Sequence, residues 1–405
     1  MTELLILLIA LTFSYVVIWR RIVDVYMLAA CGLAFYYAGM LVLGYTLDIN
    51  DSGRMVFGHE RPLSWHLILY IAVTLICLVY YSVIDNCLAR AVSVPKKPEL
   101  TLRDYTLCIA SLGCVLLIVL IIIYRLGGNF TLSKLEITAL AGPYVTIFVY
   151  VYAIAVFSYM VVRCQCGFAV RLQADAAMVL ATLFGLIILD HKMGILIPLL
   201  TVLAAQVFHK RLTVKGSALA VLVACVFTLV VLAKKLIYEQ VTIIGLLSEL
   251  EGFFTASLGN YLISEGHYVD SLYLIYSPLF MFPVLKSLSG YSSTFFNETF
   301  QPVYFPNADF GMAYNLYAEL YSTGICLLLL LMFCFLLFPV NMVSRSLTGF
   351  WRFSVIYLMF YCVFFLHRQS IFVLLSIVGN YFVIFTAIFL VSLLMKCMIS
   401  SVGAK

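Results

Sequence analysis

Charged side chains are scarce in this sequence. Of its 405 residues, 11% are Asp, Glu, Lys or Arg and 64% belong to the hydrophobic class, whereas a soluble domain carries about 25% charged residues. This shortage excludes a soluble enzyme, and it also excludes a disordered chain, which needs many polar and charged residues. The composition therefore predicts a polytopic membrane protein.

Motifs of nucleotide-dependent and metal-dependent enzymes are missing as well. The sequence has no glycine-rich phosphate loop, no nucleophile elbow and no internal repeat, and its six histidines are scattered without the paired spacing of a metal site. We therefore expect no metal and no cofactor. Any reaction would draw its energy from the substrate or from a gradient.

Long hydrophobic runs are present instead. A bilayer core of about 30 Å needs about 20 mostly apolar residues per helix, and unsatisfied backbone groups in lipid force each run to be helical. The predicted fold class is therefore all-α, with about 11 transmembrane helices. The predicted spans are approximately 4–19, 22–45, 65–83, 105–124, 143–162, 172–189, 193–208, 218–237, 316–340, 352–366 and 371–395.

Lys and Arg are distributed unevenly between alternate connections. One set of connections holds 15 of the 24 cations, and such an excess is typical of cytoplasmic loops. This predicts a cytoplasmic C-terminus and an external N-terminus. Asp24 falls within about a turn of a cytoplasmic helix end and is predicted to be interfacial. The 12 cysteines avoid every connection predicted to be external, which agrees with that orientation.

Three regions follow from these runs: helices 1–8 over 1–237, a long external loop over 238–315, and helices 9–11 over 316–405. Within the loop, 241–254 has the apolar spacing of a helix on the membrane surface. Residues 272–285 are apolar but contain two prolines. They favour an interfacial or re-entrant segment, although a full crossing stays open and would reverse the downstream orientation.

Cations left on the external side are the first candidates for function. Each one could simply extend to a lipid headgroup, but four at the same depth would form an anionic pocket suited to a lipid-linked diphosphate. These predicted diphosphate-binding residues are Lys192, Lys234, Lys235 and Arg368.

Glu319 is the first candidate for catalysis, because it lies just inside an apolar run and a carboxylate there is functional by default. The alternative is a structural glutamate satisfied by tyrosine hydroxyls or by an external cation. His267 in the long loop is the second candidate base, and its alternative is an ordinary solvated histidine. The candidates for binding sugar hydroxyls are Asp270, Asp309, Tyr314 and Asn315.

Three stretches resemble the Wzy-type polymerases of oligosaccharide repeat units, such as O-antigen polymerases. They are LDHKMGILIPLLTVLAAQVFHKRL (189–212), NLYAELYSTGI (315–325) and FFLHRQSIFVLL (364–375). The first is similar to the family's turn with a basic residue, although many relatives have Arg where this chain has Lys192. The second resembles the helix entry after the long loop, and the third resembles the penultimate turn with its Arg.

This resemblance implies a membrane-embedded glycosyltransferase of the GT-C-like type shared with O-antigen ligases. The enzyme would lie in the bacterial inner membrane with its active site facing the periplasm, and would act in lipopolysaccharide or related polysaccharide biosynthesis. Its partners would be undecaprenyl-diphosphate-linked oligosaccharides, the bilayer, a chain-length regulator and a flippase, without nucleic acid. The cations would bind the diphosphate, and Glu319 or His267 would activate the acceptor hydroxyl. An O-antigen ligase, a lipid-linked oligosaccharide flippase or other transporter, and a non-catalytic assembly partner remain alternatives.

Overall fold

The structure is a computed structural model. It describes residues 2–20, 22, 24–89, 101–129, 134–163, 176, 180–185, 251–268, 279, 281–282, 285, 300–308, 315–347 and 349–402. Most of these residues are helical. Seven helices within the described ranges are long and apolar enough to cross a membrane, so the chain is a multi-pass membrane protein. The predicted spans 193–208 and 218–237 lie outside the described residues, and 172–189 lies mostly outside them.

The chain divides into two units. Unit 1 comprises Met1–Val94, Thr228–Ser346 and Leu358–Gly379, and unit 2 comprises Pro95–Phe227, Leu347–Tyr357 and Asn380–Lys405. In unit 2, α4 (Leu102–Arg125) packs along α5 (Lys134–Arg163). A reciprocal cap formed by Thr101 and Asp104 starts α4. The buried hydroxyls of Ser111 and Ser158 join the two helices at 2.9 Å.

Unit 1 begins with α1 (Thr2–Phe13) and a π-helical turn (Ser14–Trp19), followed by α2 (Val25–Leu43). Asp24 starts α2, because its carboxylate accepts the Met27 N–H at 3.0 Å. The chain then runs back as α3 (Trp65–Ala89). Helix α1 packs against both α2 and α3. The π-helical turn therefore lies at the same end of the unit as the start of α2 and the last turns of α3.

A β-hairpin that the sequence analysis did not predict joins α2 to α3. Strand β1 (Tyr45–Ile49) pairs antiparallel with β2 (Met55–Pro62), and the register shifts between Leu47 and Asp48. The backbone N–H and C=O groups of paired strands form hydrogen bonds with each other, so this segment needs no helix to satisfy them. We call this end of unit 1 the hairpin end.

Helix α6 (Glu251–Ser264) packs against α2 and the hairpin. Its buried Asn260 donates to the Thr46 hydroxyl at 2.9 Å and to the Pro62 carbonyl at 3.0 Å, and accepts the Ser64 N–H at 2.7 Å. Residues 251–254 of the predicted surface helix belong to α6, whose later turns are largely buried within the unit. The short helix α7 (Gln301–Tyr304) follows.

The run predicted as one span over 316–340 is broken. Helix α8 (Leu316–Ser322) ends one turn before α9 (Cys326–Ser346) begins. Gly324 lies between them with φ +73°, a backbone angle that favours glycine. Helix α8 is therefore separate from the long apolar helix, and it packs against α6 and α9.

The last elements are continuous in sequence. Helix α10 (Gly349–Met359) leads into a π-helical turn (Phe360–Phe364) and a 3₁₀ turn (Phe365–His367). Helix α11 (Ile371–Val402) follows after a short connection. The turn between α10 and α11 belongs to unit 1, where it contacts α2 and α8.

Candidate functional site

Glu319 is buried without solvent exposure on α8. Its Oε2 accepts the backbone N–H of Ile371, the first residue of α11, at 2.9 Å. The N-terminus of a helix carries unpaired N–H groups and a partial positive charge, both of which stabilise a carboxylate. The helix end is thus one partner of this carboxylate.

Arg368 lies in the same turn, between the 3₁₀ turn and α11, and is half-buried. Because Glu319 bonds to Ile371, it is attached to the segment that carries Arg368. Two of the predicted site residues are therefore linked, because Glu319 bonds to the residue three positions after Arg368. A carboxylate and a guanidinium are groups that can bind a polar substrate.

Asn315 starts α8, because its Oδ1 accepts the Tyr317 N–H at 2.9 Å. Its Nδ2 donates to the Tyr37 hydroxyl at 2.8 Å and to the Thr255 carbonyl at 3.3 Å. The side chain packs so tightly on α6 that a Cβ added at Gly259 would lie 2.7 Å from Nδ2. Asn315 is fully buried, and it holds α2, α6 and α8 together.

Three aromatic members of this site were not predicted from the sequence. His367 Nδ1 lies 3.2 Å from the Tyr37 hydroxyl, and the two rings meet edge to face at 5.0 Å. Tyr317 contacts both rings and donates to the Thr74 hydroxyl at 3.1 Å. We call Tyr37, Asn315, Tyr317, Glu319 and His367 the tyrosine–histidine cluster. No local pattern relates Tyr37 to His367, but a histidine inside an apolar run was an available signal.

The structure places His267 in a different group of side chains. Its ring is 1% exposed and contacts Phe300 and Tyr304, with Nδ1 3.2 Å from the Tyr304 hydroxyl. Burial lowers the pKa of His267 to about 4, so the imidazole is neutral near pH 7. His267 follows the last turn of α6, whereas Asn315 contacts Thr255 in its first turns.

The other predicted site residues lie outside the described residues. Their proposed roles in diphosphate or sugar binding therefore stay predictions. They are Lys192, Lys234, Lys235, Asp270, Asp309 and Tyr314. Within the described residues, no three His, Cys, Asp or Glu side chains are close enough to hold a metal ion.

A second buried polar group lies at the opposite end of α2 and α3. Arg20 Nη2 is 2.7 Å from Asp24 Oδ2 and 3.5 Å from Asp85 Oδ2, and all three side chains are at most 3% exposed. Asn86 accepts from Arg20 Nε at 3.1 Å, and Asn341 donates to Asp85 at 3.0 Å. We call these five residues the arginine–aspartate cluster. Asp24 is therefore buried in an ion pair, whereas contact with water at a helix end was expected.

No protein-family model, no curated protein and no solved structure matches this chain with significant similarity.

Proposed function

We propose that this protein is a membrane-embedded glycosyltransferase that polymerises undecaprenyl-diphosphate-linked oligosaccharide units at the periplasmic face of a bacterial inner membrane. The observation that carries the proposal is the attachment of the buried Glu319 carboxylate to the turn that holds Arg368. A carboxylate and a cation suit glycosyl transfer from a diphosphate donor, because the reaction needs both a base and a group that stabilises the departing charge.

The proposed reaction needs no outside energy source. A hydroxyl oxygen of the incoming unit attacks the anomeric carbon of the growing chain and forms the new glycosidic bond. The bond between that carbon and the diphosphate oxygen breaks, and its electron pair leaves with undecaprenyl diphosphate. The proton of the attacking hydroxyl passes to the Glu319 carboxylate. Arg368, together with the three predicted lysines, stabilises the charge of the leaving diphosphate.

Asn315 has a supporting role in this scheme. Its side chain was a candidate for sugar binding, but its amide already bonds to Tyr37, Tyr317 and Thr255. We therefore propose that Asn315 positions α8, and with it Glu319. Sugar binding falls to the remaining candidates, Asp270, Asp309 and Tyr314. His267 stays the second candidate base.

The test is complementation of a deletion strain with single variants. The measurement is the length distribution of the surface glycan, seen as a ladder of bands on a gel. We expect Arg368→Ala and Glu319→Gln to leave single-unit glycans without long chains. Arg125→Ala and Glu60→Gln are matched controls, because both side chains are exposed, and both should restore the full ladder. Normal ladders in the Arg368 and Glu319 variants, at normal protein levels, would refute the proposal.

The deletion strain also separates the alternatives. A polymerase defect leaves lipid-linked single units on the periplasmic side, whereas a flippase defect leaves them on the cytoplasmic side. A ligase would transfer a preformed chain to purified lipid A core, and a polymerase would not.

A further inference from the structure

In the tyrosine–histidine cluster, the donor and the acceptor of each hydrogen bond can be assigned, starting from Asn315. The Tyr317 backbone N–H can only donate, so the atom that receives it must be the amide oxygen of Asn315. The Thr255 carbonyl can only accept, so the atom facing it must be the amide nitrogen. Two independent neighbours therefore fix the amide orientation. Asn315 necessarily donates to the Tyr37 oxygen.

The bond that Tyr37 receives from Asn315 determines where the Tyr37 hydroxyl donates its own proton. Its ring is fully buried, and its hydroxyl has two partners, Asn315 Nδ2 and His367 Nδ1. Because Asn315 donates, the single phenolic proton of Tyr37 has one acceptor in reach among the residues that the structure describes, which is His367 Nδ1. The opposite arrangement would leave a buried hydroxyl proton without an acceptor, which costs about 1–3 kcal/mol.

His367 must then carry its proton on Nε2. A histidine that accepts at one nitrogen is a donor at the other. His367 is 3% exposed, and Tyr37 is its hydrogen-bond partner among the described residues. The centroids of the Tyr36 and Tyr317 rings lie 5.3 and 5.6 Å from that of His367. The cluster therefore holds an N–H donor of fixed tautomer in the residue that precedes Arg368.

We propose that His367 is a further substrate-binding residue, and that its Nε2–H donates a hydrogen bond to a phosphate oxygen of the lipid-linked donor. This inference rests on the proposed function. A phosphate oxygen is an acceptor that the guanidinium of Arg368, the next residue in the chain, would also attract. A neutral N–H held in place by Tyr37 adds a directed bond to the leaving group without adding a buried charge.

The first test is ¹⁵N NMR of histidine-labelled protein in nanodiscs, with the His367 signals assigned from the spectrum of His367→Gln. We expect a pyrrole-type Nε2 and a pyridine-type Nδ1 in the native protein. Tyr37→Phe removes the donor to Nδ1 and should give a mixture of the two tautomers. Adding undecaprenyl diphosphate should shift Nε2, whereas adding phosphatidylglycerol should leave it unchanged.

The second test compares two isosteres in the glycan-ladder assay. Gln places its amide nitrogen near the position of Nε2, whereas Asn places its amide near Nδ1. We expect His367→Gln to retain most of the polymerisation and His367→Asn to be slower by roughly tenfold or more, the loss typical of a hydrogen bond to a charged group. Equal membrane levels of both variants, checked by immunoblot, exclude a folding defect.

A proton on Nδ1 would overturn this inference and leave the polymerase proposal untouched. An equal Nε2 shift with phosphatidylglycerol would also overturn it, in favour of a lipid headgroup. Unaffected ladders in the Arg368 and Glu319 variants would instead refute the polymerase proposal. The NMR titration would then still decide whether His367 binds a lipid diphosphate.

Discussion

The two ends of unit 1 bury polar groups in opposite ways. The tyrosine–histidine cluster near the hairpin end consists of neutral donors and acceptors with one carboxylate at a helix N-terminus. The arginine–aspartate cluster at the opposite end places one guanidinium between two carboxylates. Removing one member of a buried ion pair costs more than removing one neutral hydrogen bond. We infer that the charged end stabilises the fold, while the neutral end keeps directed groups available for a substrate.

The largest expected effect comes from Arg20→Met. It leaves two buried carboxylates without the guanidinium that lies between them, and should lower stability by about 3–5 kcal/mol. The measurement is the thermal unfolding midpoint in detergent. Arg125→Met, at an exposed position, should change the midpoint little. Equal midpoints for the two variants would show that the arginine–aspartate cluster does not stabilise the unit.

Acid should lower the stability of the protein because His267 is buried in its neutral form. Burial lowers the folded pKa of His267 from 6.5 to about 4, so between these values the unfolded chain binds a proton that the folded protein does not. The contribution of the neutral His267 to the free energy of unfolding is therefore fully present above about pH 6.5. It is lost as the pH falls toward 4, and the loss amounts to up to about 3 kcal/mol.

The measurement is the unfolding midpoint as a function of pH. His267→Gln should flatten the profile in this window, whereas His59→Gln, at an exposed position of the hairpin, should leave it unchanged. An identical slope in native protein and His267→Gln would contradict the neutral, buried state of this ring.

Gly259→Ala tests the neutral cluster without removing any polar group. The new Cβ would lie 2.7 Å from Asn315 Nδ2 and 2.8 Å from its Cγ, so Asn315 must leave its present position, in which it bonds to Tyr37. We expect a loss of about 1–3 kcal/mol, seen in the unfolding midpoint, and shortened glycans. Gly113→Ala is the control, because nothing lies within 4 Å of its added Cβ. It should be neutral or slightly stabilising, and matching losses would argue against the close packing of Asn315.

The smallest effect is expected for Arg61→Met. Like Arg20, Arg61 joins two carboxylates, at 3.0 Å from Asp48 and 2.7 Å from Glu265. Those acidic side chains are 38% and 43% exposed, so water screens the pairs, and the loss should stay within about 1 kcal/mol. Comparing this variant with Arg20→Met isolates the effect of burial. A loss as large as that of Arg20→Met would mean that the hairpin end also depends on its charges.

The long helices were predictable because hydrophobicity is read directly from the chain. The runs predicted at 22–45, 105–124 and 371–395 agree with α2, α4 and α11 within a few residues at most ends. The hairpin was missed because β1 alternates apolar and polar residues over only five positions, and β2 does not alternate. The break between α8 and α9 was missed because Gly324 is a single residue within an otherwise apolar run.

The candidate site was only partly predictable. Glu319 and Arg368 stood out as ionisable residues at the edges of apolar runs, and the structure attaches both to one turn. Tyr37 and His367 have no distinctive spacing, since only tertiary packing brings them together. In the arginine–aspartate cluster, the four-residue spacing of Arg20 and Asp24 was a usable signal, but the contribution of Asp85 from another helix was not.

The separation of Tyr37 from its partners along the chain affects how the protein is made. Its hydroxyl bonds to Asn315 and His367, which follow 278 and 330 residues later. Arg20, Asp24 and Asp85 can associate as soon as α3 has left the ribosome, because domains assemble from the N-terminus during synthesis. A chain that stops before Asn315 therefore contains the complete ion triad but neither of the two residues that bond to the Tyr37 hydroxyl. Biosynthesis completes the tyrosine–histidine cluster last, so a prematurely terminated product lacks it.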